Sequence, residues 1–180
     1  MPAPRLQMEV IRAAALGLLR TAAATNGHPL FGVNVPEHRF GNVMSEKWPV
    51  LKARVTRESG EGVSRQVPDF VVRGAFQIGG VIGAARSGAP ALDTAAIDLA
   101  AAVQTTLLED PGFLGLFGWV ERIETLLDED IAARDGAELD VVFFQVEIEV
   151  GFQQTFEPRA PADLSEELTA TFEQIIDQSR

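Results

Sequence analysis

The chain contains no cysteine. That absence excludes disulfides, thiolate metal sites and a thiol nucleophile together, and it fits a reducing cytoplasm. Histidine is almost as scarce. His28 and His38 stand ten residues apart with no ligand-type spacing to a carboxylate, so neither is read as a metal ligand or a catalytic base. No apolar run reaches the roughly 18 residues that a membrane-spanning helix needs. Met1-Pro2-Ala3-Pro4 leads into an amphipathic segment interrupted by Glu9 and Arg12 rather than into a secretory leader. The expectation is a soluble chain made in the cytoplasm. Neither Ser64 nor Ser87 lies in a G-x-S-x-G context. Gly79-Gly80-x-x-Gly83 lacks the Lys-Ser/Thr of a phosphate-binding loop, and no strand–helix unit with a ribose-binding acid follows it. On these grounds no catalytic, cofactor-binding or metal-binding residue is assigned, and the chain is not read as an enzyme.

What is present is an ordinary globular composition, 46% hydrophobic and 23% charged over 180 residues, enough for a single domain with a sizeable core. Residues 1–158 read as that domain and residues 159–180 as a linker with a short C-terminal helix over Asp163–Asp177. The charge is divided unevenly. Residues 1–90 hold 11 Lys/Arg against 6 Asp/Glu, and residues 91–180 hold 4 against 20, for a net charge of −11. One folded object would then carry a mildly basic side and a strongly acidic one. An acidic surface does not grip phosphates, although it can stand beside DNA without holding it.

The most strongly patterned stretch is Leu139–Pro158. From Phe144 onward Phe144, Val146, Ile148, Val150 and Phe152 alternate with Gln145, Glu147, Glu149 and Gln153, the period of a strand with one buried and one wet face. Val50–Glu58 and Asp69–Ile78 alternate in the same way and are expected to pair as an antiparallel hairpin, with Ser59-Gly60-Glu61-Gly62 in its tip. Gly74 falls on the apolar side of the second strand, which suggests a bulge or a close crossing of backbone. Gly79–Ala91 is glycine- and alanine-rich and reads as a mobile loop. Phe31–Val35 could form a short strand, and Trp48 reads as a packing or interface aromatic.

Helices are expected over Arg5–Ala24, with Leu6, Val10, Ala13, Ala14, Gly17 and Leu18 as its apolar stripe and Asn26-Gly27 ending it. A second covers Ala91–Leu108, striped by Leu92, Ala95, Ala96, Leu99, Ala102, Val103, Thr106 and Leu107. A third runs from Trp119 to Ala133, with Val120, Ile123, Leu126, Leu127 and Ile131 at helical spacing. The expected fold class is α+β: a mainly antiparallel sheet, made of the hairpin plus one long C-terminal strand, with helices packed on one face.

Two groups of charged residues emerge as candidate contacts. Lys52, Arg54, Arg57 and Arg73 lie on the polar side of the hairpin and could meet a partner. Between Glu109 and Glu149 stand 12 acids and 2 arginines. Asp128, Glu129 and Asp130 are the densest cluster, with Glu147 and Glu149 on the long strand. On a helix the three consecutive acids would point about 100° apart and could not converge on a cation. A solvated face, or an acidic ring face or lumen in an assembly, is the reading.

With its alanine-rich first helix, its hairpin crossing to a helix, and a last long strand ending in Thr155-Phe156-Glu157-Pro158, the chain resembles the tail terminator (tail-completion) proteins of long-tailed bacteriophages and gene transfer agents. The resemblance implies a virion structural protein that forms a homohexameric ring on the last ring of tail-tube protein. It implies that the ring ends tube growth and offers the joining surface for the head–tail connector or neck protein. DNA would pass through the channel without specific binding, and no membrane would be involved. The protein would be found in the host cytoplasm during assembly and then in the neck of the virion tail. Another neck or head-completion protein is one alternative; an adaptor that docks through the hairpin, or a small-ligand-binding or enzymatic α+β domain, is one of a different class.

Overall fold

The computed structural model describes residues 7–36, 48–62, 69–85, 89–134 and 137–155. In chain order these form α1 (Gln7–Ala24), β1 (Val50–Gly62), β2 (Asp69–Ala85), α2 (Ala89–Leu108), the single turn α3 (Pro111–Leu114), β3 (Trp119–Arg134) and β4 (Ala137–Thr155). The strands make one antiparallel sheet in the order β1-β2-β4-β3, two long hairpins joined at β2 and β4. Helices cover one of its faces, so the fold is α+β as expected. The expected helix at Asp163–Asp177 and the Thr155–Pro158 phrase beyond Thr155 lie outside the described residues.

The core sits between the helices and one side of the sheet. Leu51 and Ala53 of β1, Val72, Phe76 and Ile78 of β2, and Phe144, Val146, Ile148, Val150 and Phe152 of β4 are buried there. The alternation seen along β4 is thus the two-sidedness of a central strand. α2 keeps most of its expected stripe, with Leu92, Ala96, Leu99, Ala102, Val103 and Leu107 buried; Ala95 is exposed. α1 forms where expected and ends at Ala24, and the turn that follows passes through Gly27, which has φ +83°, a conformation glycine adopts without strain. Its buried face, however, is Met8, Ile11, Ala15, Leu16, Leu19 and Ala22, while Val10 is exposed. In an alanine-rich helix apolar residues surround the axis, so periodicity alone leaves the rotation open. The larger side chains then choose the core. Glu58 of β1 fixes the start of this helix by accepting the Met8 N–H at 2.9 Å, one of the donors a helix N-terminus leaves unpaired.

Several expectations are corrected. Trp119–Arg134 is a strand rather than a helix, paired along its length with β4. Gly79–Ala85 is the end of β2 rather than a loop, and Ala89–Ala91 already belong to α2. Ser59–Gly62 continues β1 instead of forming the tip of the hairpin. The glycines explain the second error. A Cβ on Gly80 would overlap the ring of its cross-strand neighbour Phe144, so the residue keeps a large aromatic seated on the sheet. Gly74 likewise lies under Met8 of α1. It is a close approach and not a bulge; the bulges fall at Val55/Arg57 and Val120/Arg122. Phe31–Val35 contributes one parallel bridge, Asn34 to Val50, in place of a strand.

Candidate interaction surface

The face of the sheet turned away from the helices carries the polar half of every alternating strand. Direct cross-strand partners share a face, so the register reads as rows crossing β1, β2, β4 and β3. Ser59, Arg73, Gly151 and Trp119 form one row; Arg57, Ala75, Glu149 and Arg122 the next; then Arg54, Gln77, Glu147 and Glu124; then Lys52, Gly79, Gln145 and Leu126; then Val50, Val81, Phe143 and Asp128. In this last row Val50 and Val81 join Val141 in a small second cluster, with Trp48 and Phe143 against it. Trp48 is therefore a packing residue.

Charges on this face are paired across strands. Arg54 Nε donates to Gln77 Oε1 at 2.8 Å, and Gln77 Nε2 donates to Glu147 Oε2 at 3.3 Å, a chain spanning three strands. Arg57 reaches over the small Ala75 to Glu149 at 2.7 Å. Arg73 Nε meets Glu121 Oε1 at 2.8 Å, and the Trp119 indole N–H donates to the same oxygen at 3.2 Å. The Trp119 hydrogen bond, and after it the bond and charge of Arg73, hold the Glu121 carboxyl below the ordinary carboxylate range. Arg122 and Glu124 pair along β3 at 2.7 Å.

The hairpin cations Lys52, Arg54, Arg57 and Arg73 therefore do lie together on the open face. Lys52 is only 2% exposed, which withdraws it from the surface; the three arginines are exposed. The acids are not one patch. Glu147 and Glu149 are half-buried in the middle of the sheet and engaged by Gln77 and Arg57. Asp128 is exposed on the outer strand, and Glu129 and Asp130 follow it in register with Val142 and Val141. The residues that sequence reasoning missed are Gln77, Trp119, Glu121 and Glu124. Trp119, Glu124 and Leu126 follow strand alternation only after the bulge at Glu121 is allowed for, so the period of two was hidden.

The two outer strands differ in kind. β1 takes a partner at its start, where Asn34 N–H donates to Pro49 O at 2.9 Å and Asn34 O accepts from the Leu51 N–H at 2.8 Å. β3 pairs, among the described residues, with β4 alone. It carries four exposed large apolar side chains, Trp119, Ile123, Leu126 and Leu127, between 40% and 52% exposed. Ile123 and Leu127 pair with Ile148 and Phe144 and so lie on the helix side, beside Thr125, whose Oγ1 accepts from Gln104 of α2 at 2.7 Å. Ile97 of α2 is 52% exposed.

Two crevices accompany this surface. One of about 400 Å³ is lined by Gln7, Leu116, Phe117, Phe152, Gln153 and Gln154, with no titratable group among them. The other, about 340 Å³, lies between α1 and α2. Its Thr21, Thr25 and Thr106 hydroxyls donate to carbonyls of their own helices, and its His28 Nδ1 accepts from the Leu30 N–H at 3.0 Å. His28 is thus used in the turn after α1. Among the described residues no group of three His, Cys, Asp or Glu is placed to hold a metal ion, and no helix is long and apolar enough to cross a membrane. No family model matches the chain, and no curated protein matches it.

Proposed function

We propose that this protein is a ring-forming structural component of a phage or gene-transfer-agent tail. It caps the tail tube, ends tube growth, and presents the surface to which the head connector or neck protein joins. The observation that supports this reading best is β3. An edge strand of 16 residues with four exposed large apolar side chains is what a chain that works alone avoids, because unpaired backbone and apolar side chains together recruit further strands. In an assembly the same strand is a subunit contact. The element order, helix, hairpin, helix and a second hairpin, keeps the first helix, the hairpin crossing to a helix and the long final strand of the resemblance, and adds β3 to them. The open face mixes arginines with carboxylates, so DNA passing such a ring would meet internally neutralised pairs more than bare cations. The ring forms in the host cytoplasm and remains in the neck of the virion.

Light scattering and negative-stain microscopy of the purified protein, with and without tail-tube protein, test the proposal. Six-fold rings, alone or seated on tube ends, with shortened tubes, are expected. A chain that stays monomeric, ignores tubes and leaves their length unchanged would overturn it.

A further inference from the structure

We infer that neighbouring subunits join edge to edge, β3 of one copy pairing antiparallel with the Arg54–Gly62 part of β1 of the next. The inference rests on the ring reading and names the contact that would close it.

The topology makes this pairing natural. In the order β1-β2-β4-β3 with every neighbour antiparallel, the two outer strands run in opposite directions. A rotation about an axis roughly along the strands carries β1 of the next copy beside β3 with its direction kept. The new pair is then antiparallel like the others, and the sheet continues through the contact. Such a contact uses two different patches, so it is heterologous and can close into a ring.

Charge points to the same partner. β3 presents Glu121, Glu124 and Asp128 against Arg122, an acidic excess, while the Arg54–Gly62 part of β1 is balanced, with Arg54 and Arg57 against Glu58 and Glu61, and so meets β3 without an excess of like charge. The competing occupant is the chain's own segment 156–180, which holds 6 acids against 2 arginines and so repeats the sign of β3. The levels also agree. The bulge of β1 lies between its pairs with Phe76 and Ala75, and that of β3 between its pairs with Val150 and Glu149, cross-strand neighbours in the middle of the sheet. On the helix side, α1 lies over β1. The same step brings the next copy's α1 alongside Ile97, Ile123 and Leu127, the apolar residues that this subunit leaves uncovered.

The absence of cysteine makes the test clean. E124C and L126C on β3 are mixed, one at a time, with R57C or S59C on β1 and oxidised. Within one subunit the outer strands are three strand spacings, about 14 Å, apart, far beyond the roughly 4 Å between Cβ atoms that a disulfide spans. Any β3–β1 crosslink therefore joins two copies. Reducible heterodimers in at least one mixture, and a ladder ending at six for a doubly substituted chain, are expected. I123K with L127K, both at exposed positions, should keep the circular dichroism of the parent and lose the rings. Crosslinks confined to β3–β3 mixtures, or an I123C/F172C crosslink within one chain, would overturn the pairing. So would rings in the microscope with no β3–β1 crosslink at any pair, a result that leaves the ring itself standing. Crosslinked β3–β1 rings that never cap tubes would keep the interface and remove the tail function.

Discussion

The indole of Trp119 occupies the space above Gly151 in which any Cβ would have to sit. The two residues are cross-strand partners at the start of β3, and seating the ring there brings its N–H to Glu121, the acid that also holds Arg73. A glycine and an aromatic thus set where the outer strand begins. Gly151→Ala must lift the ring and break its hydrogen bond. A loss of about 1–3 kcal/mol is expected, the range for overpacking a fitted site, together with a red shift of tryptophan fluorescence. Denaturant titration read by fluorescence checks both.

The Glu121 carboxyl lies below its ordinary range, held there first by the Trp119 hydrogen bond and then by Arg73. A depressed pKa in the folded state means that the carboxylate's contribution is complete above the unfolded value of about 4.3 and fades as pH falls through the folded value. Glu121→Gln should therefore lower Tm at pH 7. The gap between the two proteins should close as the pH drops below about 4. Parallel melting curves from pH 3 to 7 measure it; a gap that widens in acid would contradict the assignment.

Much of this surface could be read in the sequence, and the parts that could not have physical causes. β4 announced itself because a central strand with one dry face alternates strictly from Phe144 to Phe152. α2 did so because its stripe faces a sheet. β3 misled because an edge strand need not bury either face. Ile123 and Leu127 turn to the helix side and Leu126 to the open side, and with the bulge at Glu121 this spacing imitates a helix. Gly79–Gly83 read as a loop because glycine signals flexibility by composition, whereas here it accommodates Phe144 and Trp48. Pairing of Arg57 with Glu149, or of Gln77 with Glu147, depends on strand order, which no local pattern encodes.

Phe76 and Phe113 meet edge to face, with centroids 5.9 Å apart and planes at 78°, and Phe113 meets Phe117 in the same way at 5.4 Å. This aromatic run holds the α3 turn, capped by Asp110 accepting the Phe113 N–H at 2.7 Å, against the centre of the sheet. Phe76 is fully buried, so Phe76→Ala should cost about 3–5 kcal/mol through lost transfer energy and the cavity left behind. Asp110→Ala removes only the cap of a single turn and should cost about 1 kcal/mol. Urea unfolding of the two variants ranks them; equal losses would mean that the turn is held by its cap rather than by its ring.

Gln77 relays the basic outer strand to Glu147 in the sheet's centre, beside the direct Arg57–Glu149 pair. It is 3% exposed, accepts from Arg54 and donates to Glu147. An amide suits this place because it offers both a donor and an acceptor; a leucine of similar size offers neither. Gln77→Leu takes one hydrogen bond from each charged partner in a largely desolvated position, and about 1–3 kcal/mol should be lost. Gln77→Glu keeps the acceptor for Arg54 but sets a second carboxylate against Glu147. It should therefore be the worse variant at pH 7 and recover as the pH falls and one of the paired acids takes a proton. Comparing the two in chemical denaturation at pH 7 and pH 5 separates the causes. A pH-dependent gain for Gln77→Glu, absent for Gln77→Leu, assigns the cost to the Glu147 charge, and identical behaviour assigns it to packing alone.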